Sequence, residues 1–208
     1  RARLGDAKPT LAVGRDCRLT SDAYADALMA GINACGVDVI DIGMCPTPLL
    51  YFALHELPVH GGMQITASHN ASEYNGFKVC IGREAIYGES IAKLRDEMQQ
   101  GRFATGTGTI ARADIITPYL EYCAKQFGTL PRKLKVVVDC GNGAAAPVAP
   151  RAIAQLGCEV IPLFCDADGR FPNHHPDPTV PENLDDVIRT LDRTGADIGI
   201  ALDGDADR

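Results

Sequence analysis

The feature that most restricts the fold is a change of hydrophobic period that recurs along the chain. Short apolar runs read as strands, and each gives way to a stretch with helical spacing. TLAVGRD (10–16) reads as a strand. Thr20 or Ser21 then caps a helix whose apolar positions Tyr24, Leu28, Ile32 and Cys35 form one stripe, with Gly36 as the stop. VDVIDIG (37–43) is a second strand, and Thr47 followed by Pro48 supplies an N-cap and a first-turn proline for a helix to about Leu57. GGMQITAS (61–68) is a third strand, with Met63 and Ile65 alternating against Gln64 and Thr66. Residues 77–81 form a fourth, and Ile91, Leu94 and Met98 mark a further helix.

Near 101–112 the composition shifts to Gly, Thr and Ala (GRFATGTGTIAR), which places a domain boundary there. The pattern then resumes. Residues 114–127 read as a helix, KVVVDCG (135–141) as a strand, 146–156 as a helix and CEVIPLFCD (158–166) as a strand. After a proline-rich loop, Leu184, Val187, Ile188 and Leu191 mark a helix, and ADIGIALD (196–203) is the last strand. Strands separated by helices need crossover connections, so the expected class is α/β with mostly parallel sheets in two domains.

Composition narrows the function. Of 208 residues, 46% are hydrophobic and 23% charged, enough apolar material for packed cores. A net charge of -7 argues against a nucleic-acid partner, which favours a basic footprint. The eight cysteines are scattered, without a Cys-x-x-Cys pair, and most lie in apolar patterns where a thiol acts as a small hydrophobe. That usage points to a reducing compartment without a disulfide framework. No apolar run reaches membrane-spanning length and no signal-peptide pattern opens the sequence, so a cytoplasmic protein without a membrane partner is expected.

Two stretches carry the chemistry. In DGDADR (203–208), Asp203, Asp205 and Asp207 are spaced by two, which in an extended segment points them to one side. They follow a strand, where open α/β sheets bind ligands. Such crowding is costly without a cation, and hard oxygen ligands suit Mg²⁺, which commonly shares its shell with a phosphate. The plain alternative is a solvated acidic turn. An EF-hand is the other rival, but position 208 is Arg where that loop needs Gly, and the preceding IGIAL strand does not fit it.

ITASHNASEYNGFKV (65–79) leaves a strand and turns polar. Ser68 beside His69 suggests a nucleophile, yet neighbouring strand residues point apart and no Gly-x-Ser-x-Gly elbow is present. A phosphoserine at Ser68 fits better, bringing about two negative charges and oxygens that complete a Mg²⁺ shell. Lys78, past the Asn75-Gly76 turn, can return to move protons or offset charge. Taken alone, Ser68 reads as a turn hydroxyl and Lys78 as a solvent-facing lysine.

Other motifs weigh less. Gly141-x-Gly143-x-x-Ala146 with Asp166 resembles a dinucleotide fingerprint, but Pro147 and Pro150 crowd the helix, and tight strand-to-helix packing accounts for the glycines. His174, His175 and Asp177 in FPNHHPDP lack zinc spacing and read as a proline-pinned loop near the domain interface. Arg15, Asp16 and Arg18 end the first strand, where they either line the cleft or form a surface ion pair, the simpler reading.

Taken together, TASHNASEYNGFKV (66–79) and DGDADR (203–208) resemble the α-D-phosphohexomutases, in their phosphomannomutase/phosphoglucomutase branch. VGRDCR, DIGMCPTP (41–48), VVDCGNGA (137–144) and FPNHHPDP resemble weaker family motifs in the same order. The resemblance implies two three-layer α/β domains with mostly parallel mixed sheets, over 1–110 and 111–208. The first would be incomplete at its N-terminus and the second at its C-terminus. It implies a phosphoserine at Ser68, Mg²⁺ held by that phosphate with Asp203, Asp205 and Asp207, and proton transfer by Lys78. His69 and Arg208 would contact the phosphoryl group or support its loop, with Arg15 and Asn70 as further phosphate-contact candidates.

The implied reaction interconverts hexose 1-phosphate and hexose 6-phosphate, of mannose or glucose, through a 1,6-bisphosphate that also serves as activator. The partner is then a small phosphosugar, and the protein a monomer or dimer. Relatives carry four domains, so these residues alone are expected to be inactive. The Ala71-Ser72 pair, where relatives often carry prolines, removes no catalytic atom. Phosphoglucosamine mutase and a non-catalytic Mg²⁺- or phosphate-binding module are the alternatives.

Overall fold

The computed structural model describes residues 8–208. Its strands are β1 (Thr10–Arg15), β2 (Asp38–Met44), β3 (Gly61–Ile65), β4 (Phe77–Ile81), β5 (Glu84–Ala85), β6 (Ile110–Arg112), β7 (Lys135–Asp139), β8 (Glu159–Leu163) and β9 (Ile198–Ala201). The helices are α1 (Ser21–Ala34), α2 (Thr47–Glu56), α3 (Glu89–Gln99), α4 (Ile116–Phe127), α5 (Ala149–Gln155) and α6 (Asp185–Thr194). Six strands form one sheet in the order β5-β4-β3-β1-β2-β6, and three form a second in the order β8-β7-β9. β1 runs parallel to β2 and β3, β4 runs antiparallel to both β3 and β5 at one edge, and the second sheet is wholly parallel. The fold is mixed α/β with mostly parallel sheets, as the alternating pattern implies.

Adjacent residues of β1 show how the layers form. Ala12 and Val13 are both fully buried but face opposite sides of the sheet. Ala12 joins a cluster with Leu49, Leu50 and Ala53 of α2, whereas Val13 joins Ala25 and Met29 of α1. Each fully buried Leu contributes roughly 1.5–3 kcal/mol relative to an exposed one, so α2 is held mainly by Leu49 and Leu50. Gly62 in β3 lets α2 approach, since a Cβ there would lie 2.8 Å from Leu50 Cδ1. In the second sheet Val136 and Val138 belong to a cluster that reaches Ala149 and Ile153 of α5, while α6 sets Val187 and Leu191 against Gly199 on β9. Ile115 and Leu120 share the α2 cluster with Val148, so one buried seam runs from the first sheet toward α5.

Several elements differ from the expected ones. β3 stops at Ile65, three residues early: the Thr66 N–H still meets the Gly76 carbonyl at 3.0 Å, but the Ser68 N–H then bonds back to Thr66 Oγ1 at 2.9 Å and the chain turns. The alternation expected in β3 is also broken. Gln64 is fully buried and donates to the Cys45 carbonyl at 2.8 Å, as befits a strand covered on both faces. β6 lies in the Gly/Thr/Ala-rich stretch read as a boundary. It pairs in parallel with β2, but its three residues are exposed and carry no alternation to betray it. α5 begins at Ala149 rather than 146, after a run of turns containing Pro147.

Candidate active site

The loops after β3 and β9, the C-terminal ends of one strand in each sheet, meet face to face. Ser68 sits in the first with φ of 55°, a left-handed conformation uncommon for a residue with a side chain. Its N–H donates to Thr66 Oγ1 at 2.9 Å, which closes the loop on itself. Its hydroxyl donates to Asp203 Oδ2 at 2.8 Å, a contact across 135 positions. Close approach of the two loops depends on Gly204, where a Cβ would fall 2.5 Å from the Ser68 carbonyl oxygen.

The three aspartates converge, but through a tight turn rather than the extended segment expected, with Ala206 at a φ of 56°. One oxygen from each of Asp203, Asp205 and Asp207 lies within 4.8 Å of the others. At an effective dielectric of about 20, two full charges at that separation repel by roughly 3 kcal/mol, so an unscreened triad would be strongly disfavoured. Asp203 and Asp205 are fully buried, unlike the carboxylates of a solvated turn, while Asp207 is exposed. Burial, reinforced by Asp205, raises the Asp203 carboxyl above the ordinary range. Asp203 Oδ1 also accepts the backbone N–H groups of Asp207 at 3.1 Å and Arg208 at 3.2 Å, which hold the loop in a tight turn.

Lys78 supplies part of the missing charge. Its ammonium donates to Asp205 Oδ2 at 2.7 Å and to Asp207 Oδ2. Burial alone would lower its pKa, but the bonds to Asp205 and Asp207 outweigh that and leave it raised. Asp205 Oδ2 also receives the Thr47 hydroxyl, while Oδ1 is buried without a hydrogen-bond partner among the described residues. An orphaned anionic oxygen beside two further carboxylates is a donor set suited to a hard divalent cation, and the residues fit Mg²⁺.

The other expected residues are distributed unevenly. His69 is half-buried with Nδ1 3.4 Å from Ser68 Oγ. Arg208 is exposed and takes part here through its backbone N–H to Asp203. Asn70 is exposed; its backbone N–H returns to Ala67 and its carbonyl faces Arg18. Arg15 is drawn away from the loop by ion pairs to Asp22 at 2.5 Å and Asp41 at 2.9 Å. Its neighbours correct the simpler sequence reading: Asp16 and Arg18 form an ion pair at 3.0 Å that is buried rather than at the surface.

Thr47 is the residue that sequence reasoning placed in the wrong role. The Thr-Pro pair read as a helix cap, yet Pro46 holds the N-cap position and the Thr47 hydroxyl turns to Asp205. Its N–H also donates to the Asp205 carbonyl at 2.9 Å, so the first turn of α2 braces the acidic loop twice. FPNHHPDP borders the same place. His174 Nε2 binds Asp139 Oδ2 at 2.9 Å, and the Thr179 hydroxyl is the chief cause that holds the Asp177 carboxyl below its ordinary range. These contacts support a structural loop.

Comparisons with known proteins identify the relatives of this chain. The family described as phosphoglucomutase/phosphomannomutase, alpha/beta/alpha domain I, matches residues 1–105, and its domain II matches residues 117–208. The chain belongs to the phosphoglucomutase/phosphomannomutase family. A phosphomannomutase/phosphoglucomutase of Pseudomonas putida is 46% identical over 205 residues, covering 99% of this chain and 44% of that protein. A phosphoglucomutase of Neisseria meningitidis is 40% identical over 200 residues, covering 95% of this chain and 43% of that protein. A crystal structure of a phosphoglucomutase/phosphomannomutase family protein from Burkholderia thailandensis superposes with a TM-score of 0.93 at 46% identity, over 96% of this chain and 45% of that one. The chain thus spans less than half the length of these relatives. Among the described residues, no helix is long and apolar enough to cross a membrane.

Proposed function

We propose that this chain carries the phosphoryl-carrier and metal loops of a phosphohexomutase that interconverts the 1- and 6-phosphates of mannose or glucose. The observation that carries the reading is the 2.8 Å contact from Ser68 Oγ to Asp203 Oδ2, which sets a half-exposed hydroxyl against a buried carboxylate cluster from the other sheet. A phosphoryl group on Ser68 Oγ would be placed at that cluster. Mg²⁺ held by Asp203, Asp205, Asp207 and the phosphoserine would supply electrostatic stabilisation of the charge on the phosphoryl oxygens.

Transfer from phospho-Ser68 breaks the P–Oγ bond and forms a bond to a sugar hydroxyl oxygen, whose proton replaces the one that Lys78 gives to Ser68 Oγ, leaving a hexose 1,6-bisphosphate and a free serine hydroxyl. The reverse step returns the other phosphoryl to Ser68 Oγ, so the serine is restored at each turnover and added bisphosphate acts as an activator. In the unphosphorylated state Asp203 Oδ2 holds the Ser68 proton by hydrogen bond. Lys78, kept protonated by Asp205 and Asp207, offsets negative charge and can donate a proton to a departing alkoxide.

Turnover tests the reading. Full-length protein with Mg²⁺ and glucose 1,6-bisphosphate is expected to convert mannose 1-phosphate to mannose 6-phosphate, and Ser68→Ala to abolish the conversion. Residues 1–208 alone are expected to give negligible conversion, since the relatives are more than twice as long. Full activity in Ser68→Ala would sink the proposal.

A further inference from the structure

The loop that carries Ser68 is held from behind by a residue 50 positions earlier in the chain. Arg18 is 3% exposed. A guanidinium has five N–H donors, and every one is engaged here. Nε donates to Asp16 Oδ2 at 3.0 Å. Nη1 donates to the carbonyls of Ala71 at 2.5 Å and Tyr74 at 3.1 Å, and Nη2 to those of Ser68 at 2.8 Å and Asn70 at 2.7 Å. Phe171, from the loop after β8, covers one face of the guanidinium with its ring centroid 5.1 Å away. The planar fork therefore gathers four carbonyls of one loop and is anchored on both sides, by Asp16 and by the other half of the molecule.

We propose that Arg18 is a positioning residue for phosphoryl transfer, fixing the loop so that Ser68 Oγ stays aimed at Asp203; this rests on the phosphoryl-carrier reading of Ser68. Four carbonyl dipoles turned toward one point repel one another unless a cation satisfies them. Ser68 also holds a left-handed backbone conformation that persists only where its surroundings enforce it. Released from the guanidinium, the loop relaxes toward negative φ and swings Oγ off the carboxylate cluster. Lysine cannot substitute, because a point charge on a flexible stem reaches one or two of the carbonyls rather than four in a plane.

Two measurements on the full-length protein test this. In wild type, ¹⁵N spectra of the arginine side chains should show the Arg18 Nη protons individually resolved and slow to exchange. A freely rotating, fast-exchanging guanidinium would overturn the proposal without any variant. In Arg18→Lys, kcat should fall by about a hundredfold with KM unchanged, the scale expected for an ångström of misplacement. Phosphate uptake at Ser68 from glucose 1,6-bisphosphate should slow in parallel, and amide exchange should rise in 66–76 but not in β7. A variant with lowered thermal stability but wild-type kcat would reduce Arg18 to a structural role and overturn the proposal. Wild-type protein that takes up no phosphate overturns the carrier reading itself. Uptake that is equally fast in wild type and Arg18→Lys overturns only the role of Arg18.

Discussion

Asp205 concentrates the energetic problem of the site in one side chain. It is fully buried, its Oδ2 is held by Thr47 and Lys78, and its Oδ1 has no partner among the described residues. Removing the Thr47 hydroxyl should therefore cost more than an ordinary hydrogen bond, about 1–3 kcal/mol, because it strips a donor from a buried charge. Urea melts of Thr47→Val should show that loss, and Thr47→Ser should recover most of it. His174 gives a pH-dependent counterpart. Its Nε2 faces Asp139 at 2.9 Å and its Nδ1 faces the His175 carbonyl at 2.9 Å, so both nitrogens meet acceptors and the doubly protonated ring is favoured. The Asp139 hydrogen bond is the chief cause of a pKa raised above the ordinary 6.5. A raised folded value contributes stability that is complete below about 6.5 and is lost as pH rises through the folded value. His174→Gln should thus destabilise the protein more at pH 6 than at pH 9, and an equal loss at both would contradict the imidazolium assignment.

Whole elements were legible where a periodic core face wrote them. β7, with Val136 to Val138 buried, falls where hydrophobic spacing puts it, and α1 forms where expected, but its buried face is Ser21, Ala25 and Met29 rather than the expected stripe, whose Tyr24 is exposed and whose Leu28, Ile32 and Cys35 are only half-buried. β5 and β6 escaped because short exposed edge strands have no buried face to pattern. In the site, the aspartate spacing and the Ser-His-Asn loop announced themselves, whereas Thr47 was read only as a helix cap and Arg18 only as a cleft or surface-pair candidate. A hydroxyl that braces a loop 158 positions away looks locally like a helix cap, and an arginine bonded to backbone carbonyls leaves no side-chain pattern. Loop shape also depends on one absent Cβ. Gly204→Ala would place a methyl 2.5 Å from the Ser68 carbonyl oxygen and force the two loops apart. Its catalytic rate should fall steeply while far-ultraviolet circular dichroism stays that of wild type, because β9 itself is untouched.

At the scale of the molecule, each sheet delivers one of the two loops that meet at the site, and a buried seam runs from α2 to Val148. A cation that binds the folded acidic loop but not the unfolded chain stabilises the fold by mass action, by about 2.7 kcal/mol at a hundred times its dissociation constant. Thermal melts with Mg²⁺ should therefore rise in wild type and stay flat in Asp205→Asn. Burial raises the Asp203 carboxyl, so protons compete with the metal and the Mg²⁺ effect should weaken as pH falls. The central claim is that Ser68 carries a phosphoryl group, and intact mass reads it directly. Full-length protein treated with glucose 1,6-bisphosphate should gain the mass of one phosphate, and Ser68→Ala should gain none. No gain in wild type, or an equal gain in Ser68→Ala, would contradict the role assigned to this serine.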